Sequence, residues 1–328
     1  KKLMVFASGY GRMAEDAASY GWEMSAGGFD WPRFRGRLHA ELDRLESVYR
    51  KLLANAGVET FDARATVEDA HTVRLSTGET KTAKHILVAT GGHPVKPDVP
   101  GAELAITSNE IFHLKELPKS ILIVGGGYIA CEFACVMHGM GVDVTQYYRG
   151  AQILRGFDDE ARGLISEAMR ERGIDLHTGT NIVEMMPAAE VEADPLAKMG
   201  SGTASDAATG GISDETDSPS TRGPIWVKAT NGHEEVFDAV LFATGRTPNT
   251  RGLGLEEAGV KVGRHGEIVV DEFSQSAIPS IHAIGDVTGR VALTPVAIRE
   301  GMAFAETVFG NRPRAMDYEN VPSAVFSQ

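Results

Sequence analysis

The sequence predicts an α/β fold built on a doubly wound parallel sheet, with small antiparallel meanders attached. Three features point to it. A buried-strand run, Ile121-Leu122-Ile123-Val124, leads into three glycines, a helix-period segment to Met140 and a second strand over 142–148. Together they make a β-α-β unit of about 30 residues, the repeating unit of a parallel sheet. A helix over 158–172 and a strand over 174–178 continue the alternation. Short runs over 58–67, 72–75 and 82–89, parted by Glu68-Asp69 and Ser76-Thr77-Gly78, read as an antiparallel meander.

The 328 residues amount to about two domains at ~150 residues each, and 42% hydrophobic content supplies a sizeable core. A net charge of −13 repels a phosphate backbone, so nucleic acid is not an expected partner. Two cysteines cannot form a disulfide framework, which points to a reducing compartment and a cytoplasmic location. Glu132 and several glycines interrupt the apolar stretch 121–144, so no membrane association is expected. Lys1-Lys2-Leu3-Met4 carries no signal-peptide pattern.

Along the chain, Asp30-Trp31-Pro32 reads as a helix entry, with Asp30 as N-cap and Pro32 in the first turn. Phe34, Leu38, Leu42, Leu45, Val48 and Leu52 then form one apolar stripe, which Gly57 stops. Thr90-Gly91-Gly92-His93-Pro94 looks like a crossover between domains, and Thr244-Gly245-Arg246 like a second. Residues 188–223, rich in Ala, Gly, Ser, Thr and Asp, read as a flexible surface insertion. Strands are expected at 225–227, 239–243, 268–270 and 281–284, with a turn at Asn231-Gly232 and a helix over 295–309.

The strongest chemical signal is Gly125-x-Gly127-x-x-Ala130 between a strand and a helix. Gly125 permits the tight turn, Gly127 lets a pyrophosphate approach the backbone, and Ala130 lets helix and sheet pack closely. The helix N-terminus then offers unpaired N–H groups to the phosphates, so a dinucleotide site is expected. The second strand ends in Tyr147-Tyr148-Arg149, with Arg155 following and no carboxylate before Asp158. Two guanidiniums suit the 2′-phosphate of NADP, where a carboxylate would select NAD; the competing reading is two solvated surface charges.

Other residues are less decisive. Asp286, beside Gly285 at a strand end, serves equally as an acceptor for a sugar or polyol or as a turn cap. Glu132, four residues after Tyr128, points to solvent on spacing alone. Cys131 and Cys135 are one helical turn apart, which disfavours disulfide geometry and favours packing. The ten histidines are scattered, and no metal is indicated.

Taken together, these segments resemble the flavoprotein pyridine nucleotide-disulfide oxidoreductases, and among them the glutathione reductases. The matching residues are Lys1 to Met4, Ala89-Thr90-Gly91-Gly92, Gly125 to Glu132, Arg149 and Leu154 to Asp158. To these are added Ala243 to Arg246, Gly285-Asp286, Leu293 to Ala297, Val321-Pro322 and Val325-Phe326-Ser327. The resemblance implies two nested, three-layer nucleotide-binding domains, for FAD and for NADP. Residues 1–90 are then the first part of the FAD-binding domain, 91–248 the NADP-binding domain, 249–317 the second FAD part and 318–328 the start of a dimer-interface domain.

The resemblance also implies roles. Lys1 lies by the flavin N5 and pairs with Glu132, while Tyr128 covers the flavin until nicotinamide displaces it. Thr90, Gly91, Asp286 and Thr294 join Lys1 in the FAD site. Gly125, Gly126, Gly127, Ile129, Ala130, Glu132 and Gly245 line the NADP site, where Arg149 and Arg155 match the 2′-phosphate ligands. Tyr49 falls where glutathione reductases place a tyrosine against glutathione disulfide. The implied enzyme passes electrons from NADPH through FAD to an active-site cysteine pair and on to glutathione disulfide. That pair is expected immediately before Lys1, and a homodimer is expected for the complete chain. Met302 stands where a substrate-binding arginine is common, which trypanothione reductase also lacks; a sister class, dihydrolipoamide or mercuric reductase, is a separate alternative, although the carboxylate that would favour the first is absent at Tyr148. A non-catalytic module binding NADP(H) and flavin is a further one.

Overall fold

The computed structural model describes residues 1–25, 27–193 and 223–327. The chain opens with helices α1 (Lys2–Ser19) and α2 (Trp31–Asn55), followed by strands β1 (Ala65–Val67), β2 (Thr72–Leu75), β3 (Thr80–Thr82), β4 (Ile86–Val88) and β5 (Gly92–Pro94). After β6 (Ile106–Thr107) comes the run β7 (Ser120–Val124), α3 (Tyr128–Gly139), β8 (Asp143–Tyr148), α4 (Asp159–Glu171) and β9 (Asp175–Thr178). Then follow β10 (Ile182–Pro187), α5 (Ala188–Ala193), β11 (Ile225–Ala229), β12 (Glu234–Phe237) and β13 (Ala239–Phe242). The last elements are β14 (Arg246–Pro248), β15 (Ile281–Ala283) and α6 (Thr294–Phe309).

These elements gather into two compact units, one of Lys1–Val48, Pro94–Gly245 and Ala324–Gln328, the other of Tyr49–His93 and Arg246–Ser323. The expected first segment 1–90 runs across that division. Helix α1 falls in the first unit because it packs on α3, where a Cβ on Gly139 would lie 2.5 Å from the Ser8 carbonyl oxygen.

The first unit is built on a five-stranded sheet in the order β6-β13-β7-β8-β9, with every neighbouring pair parallel. Strand β7 is buried on both faces, which is why it reads as an unbroken apolar run. Ile121 and Ile123 face a cluster containing Met4, Val5, Phe133, Met137 and Met169. Leu122 and Val124 face the opposite cluster, with Ile182, Met185, Ile225 and Val227. One outer layer is therefore helical, and the other is the antiparallel sheet β10-β11-β12.

Helix α2 begins as its entry motif dictates: Asp30 Oδ1 accepts the Arg33 N–H at 2.9 Å. Trp31 and Leu38 are buried, and the Trp31 ring N–H donates to the Leu114 carbonyl at 2.8 Å. Beyond Leu38 the apolar stripe is exposed, Leu42 to 46% and Leu52 to 58%.

In the second unit β1, β2 and β3 form an antiparallel meander. The expected strand over 82–89 is split. Its start belongs to β3, and Ile86 to Val88 leave the meander to pair in parallel with β15. The expected strand at 268–270 is only an isolated bridge between Ile268 and Val262. The insertion expected over 188–223 also needs correction at its start. Residues 188–193 form α5, because Ala188 and Val191 pack against Met186 and Trp226; residues 194–222 lie outside the described residues. Among the described residues no helix is long and apolar enough to cross a membrane.

Candidate functional site

The glycine turn lies in the first unit, between β7 and α3. Gly125 has φ +142°, and a Cβ there would collide with the Ala243 carbonyl and lie 3.3 Å from the Ala130 methyl. That crowding explains both small residues of the motif. Gly125 N–H donates to Tyr147 O at 2.9 Å, and Gln146 Nε2 donates to Gly125 O at 2.8 Å, tying the turn to β8. Above Gly127 the space is open: a Cβ there would meet nothing within 4 Å. Helix α3 starts at Tyr128, and its N-cap, Gly127, has no side chain to cap it. Ile129 follows in its first turn and is partly buried. Gly245, with φ +152°, also has open space where its Cβ would be.

The segment after β8 folds back on this turn. Leu154 N–H donates to Gly126 O at 2.6 Å, and Leu154 itself is buried in a left-handed conformation, φ +56°. That backbone turn presents Arg155. Arg149 and Arg155 are both exposed, and neither side chain has a hydrogen-bond or ionic partner among the described residues. Asp158 is occupied as the N-cap of α4, accepting from Ala161 N–H at 3.0 Å.

Glu132 corrects the expectation of a solvent-facing carboxylate. It is 2% exposed, forms an ion pair with the Lys1 ammonium, and accepts the Phe326 N–H at 3.0 Å through Oε1. Burial of one charge is tolerable because an opposite charge and a backbone donor meet it. The Lys1 Nζ also lies 5.5 Å from the Tyr128 ring centroid and 5.8 Å from that of Phe133. Lys1, Tyr128 and Glu132 thus form one cluster at the start of α3. Spacing alone missed it because Lys1 and Phe326 are remote in sequence.

Cys131 and Cys135 are buried thiols that are not joined in a disulfide. Burial is the main cause that pushes the Cys131 thiol up to about 12, so it stays protonated and inert at neutral pH. Among the described residues no three His, Cys, Asp or Glu side chains are grouped to hold a metal ion.

The remaining candidates lie in the second unit. Thr90 Oγ1 donates to Asn249 O at 2.8 Å, and Gly91 O, at a residue with φ +68°, accepts Asn249 N–H at 2.8 Å. A Cβ on Gly92 would lie 3.7 Å from the Asp286 Cβ, so Asp286 stands beside that turn. Its carboxylate has no partner among the described residues. Thr294 is exposed at the first position of α6. Tyr49 is 65% exposed.

Sequence reasoning missed Glu300, a carboxylate buried beneath the Gly285-Asp286 turn. Its signal was available: Val296, Glu300, Ala303 and Phe304 recur at helical spacing, which sets an acid in an apolar face.

The sequence profile described as pyridine nucleotide-disulphide oxidoreductase matches residues 6–301. The chain belongs to that family. It is an oxidoreductase family whose members work with FAD and NADPH. Glutathione reductase of Burkholderia cepacia is 44% identical over 328 residues, covering all of this chain and 66% of that protein. The chloroplastic/mitochondrial glutathione reductase of Pisum sativum is 44% identical over 329 residues, 54% of its own length. Trypanothione reductase of Leishmania donovani is 35% identical over 342 residues, 63% of its length. The chain thus spans between about half and two thirds of these relatives. Among solved structures, the Cu(II) complex of the HOCl-induced flavoprotein disulfide reductase RclA from Escherichia coli superposes with a TM-score of 0.79. It covers 99% of this chain and 64% of that one at 23% identity, a likeness of fold.

Proposed function

We propose that the protein is an NADPH-dependent disulfide reductase of this family, acting on glutathione disulfide. The observation that carries the proposal is the pair of exposed guanidiniums, Arg149 and Arg155, which have no partner among the described residues and flank a glycine turn with open space above Gly127. An added phosphate on the adenosine ribose satisfies both. Charge-assisted hydrogen bonds are worth roughly 1.5–3 kcal/mol each, so two favour NADPH over NADH by on the order of 10² or more. Arg149→Ala with Arg155→Ala should therefore collapse the kcat/KM ratio of NADPH to NADH toward unity. A ratio that stays put in the double variant sinks the assignment.

The residues present fit the family's cofactors. The glycine turn and the uncapped start of α3 receive the pyrophosphate of NADPH. In the second unit the unpartnered Asp286 carboxylate accepts hydroxyls of the flavin sugar chain, and the Thr90-Gly91 turn and the first N–H groups of α6 at Thr294 line the same site. Bound FAD supplies a ring able to take two electrons from NADPH and give them to a disulfide. In the first unit Glu132 offsets the cost of burying the Lys1 ammonium; that positive charge would favour an anionic reduced flavin, and Tyr128 would screen the nicotinamide from water. The balance is NADPH, a proton and glutathione disulfide giving NADP⁺ and two glutathiones.

The exchange with substrate needs a dithiol, which Cys131 and Cys135 do not provide; the proposed pair precedes Lys1. Tyr49 is proposed as a substrate contact, and the complete protein as a homodimer with FAD segments 1–90 and 249–317 around an NADP segment 91–248. Residues 318–328 open its interface domain. Met302 is exposed and offers no cation to a substrate carboxylate. A panel of glutathione, trypanothione and lipoamide disulfides assayed with NADPH therefore tests the substrate separately from the electron donor.

A further inference from the structure

Glu300 is 2% exposed on the apolar face of α6. Both of its oxygens are engaged: Oε2 accepts the Gly285 N–H at 2.6 Å, and Oε1 accepts the Tyr318 hydroxyl at 2.5 Å. Arg290 Nη1 donates to the same hydroxyl oxygen at 2.7 Å, and its guanidinium lies 5.3 Å from the Tyr318 ring centroid. Arg290 is itself anchored by Nη2, which donates to the carbonyls of Val270 at 3.3 Å and Asp271 at 2.5 Å. A chain of bonds thus runs from Arg290 through Tyr318 and Glu300 to the backbone of Gly285.

A buried carboxylate is costly and persists where every acceptor site has work to do. Here the work falls on a single peptide. Gly285 has φ +73°, and a Cβ there would press on the Ala297 methyl at 3.3 Å. Its carbonyl accepts the Thr288 hydroxyl at 2.8 Å, while its N–H goes to Glu300. Both polar groups of Gly285 are therefore held, and the next residue is Asp286, whose carboxylate has no partner among the described residues. The arrangement fixes the backbone immediately before the aspartate.

We propose that Glu300 is the positioning residue for Asp286: it fixes the Gly285 turn so that the neighbouring carboxylate is preorganised for the hydroxyls of a sugar or polyol chain. Tyr318, steadied by Arg290, keeps Glu300 in that pose. This rests on the reading of Asp286 as a ligand of the flavin chain. Preorganisation raises affinity by removing the cost of ordering the turn on binding.

The test uses the full-length protein stripped of flavin and titrated with FAD by fluorescence quenching, with NADP⁺ titrated in parallel. Glu300→Ala should weaken FAD about tenfold, the scale of one lost bond to a charged group. Glu300→Gln keeps an acceptor for the Gly285 N–H and should recover most of that loss, and Tyr318→Phe should weaken FAD less than Glu300→Ala does. NADP⁺ affinity should stay within about twofold throughout, since its site lies in the other unit. If Asp286→Ala weakens FAD while Glu300→Ala binds it like the parent, the positioning role is wrong and the flavin reading stands. A matched loss of FAD and NADP⁺ in Glu300→Ala, without rescue by Glu300→Gln, marks a general stability role and overturns the proposal. Should Glu300→Ala not fold, wild-type FAD affinity in Tyr318→Phe overturns it instead. If the parent takes no FAD, or Asp286→Ala is indifferent to it, the flavin reading falls and the positioning role falls with it.

Discussion

Tyr148 fills the gap between two glycines, and its ring explains why neither carries a side chain. A Cβ on Gly126 would collide with the ring, and one on Gly150 would lie 2.6 Å from its Cε1. Gly126→Ala should therefore cost about 1–3 kcal/mol in urea unfolding, the usual scale of overpacking. The cost should vanish when Tyr148→Ala is already present, and equal costs in both backgrounds would refute the account. His282 offers a second case at this scale. It is buried against Phe304, with ring centroids 5.0 Å apart, and its Nδ1 has no partner among the described residues. Burial first, and the nearby His85 second, lower its pKa, with Asp271 opposing. The folded protein therefore keeps His282 neutral below the unfolded pKa of about 6.5. Its contribution to stability is whole above that value and is lost as pH falls from there toward the folded pKa. Between pH 7 and 5.5 the unfolding free energy should drop, and His282→Leu should drop less steeply.

Helix α2 shows how an element is legible from its ends and misleading along its face. Asp30 capped it as the motif implied, and Gly57, with φ +72°, follows its end. The apolar stripe, however, is buried only near Trp31 and Leu38. Leu38→Ala should destabilise by about 2–4 kcal/mol, whereas Leu45→Gln should stay within about 0.5 kcal/mol. Denaturant midpoints separate the two, and a large loss at Leu45 would mean that the stripe is covered. The β-α-β run was readable because each of its elements carries its own periodicity. Helix α1 was not, since its buried face is narrow and includes Ser8 and Gly9 beside Met4 and Val5. Strand β4 was assigned to the meander because its partner β15 is far along the chain, and local alternation says nothing about such pairing.

Across the whole molecule, the same division between local and distant information governs the candidate site. The glycine turn and the two arginines are contiguous enough to be recognised in the sequence. Spacing alone misjudged Glu132, because the groups that make its burial tolerable, the Lys1 ammonium and the Phe326 N–H, are remote in sequence; the family resemblance supplied the pairing with Lys1 that the structure shows. Glu300 was marked by its helical spacing as an acid on an apolar face, but what it holds was not, its donors, Gly285 and Tyr318, lying outside α6. The sheet order carries a consequence of the same kind for biosynthesis. Strand β13 lies between β6 and β7, yet it follows both by more than the whole β-α-β run. A ribosome that has already delivered β7, β8 and β9 has made a platform with one flank bare, and the missing slat arrives only with Ala239–Phe242. Until then the growing polypeptide presents an unsatisfied apolar border to its surroundings, the kind of interval in which chaperones engage nascent chains.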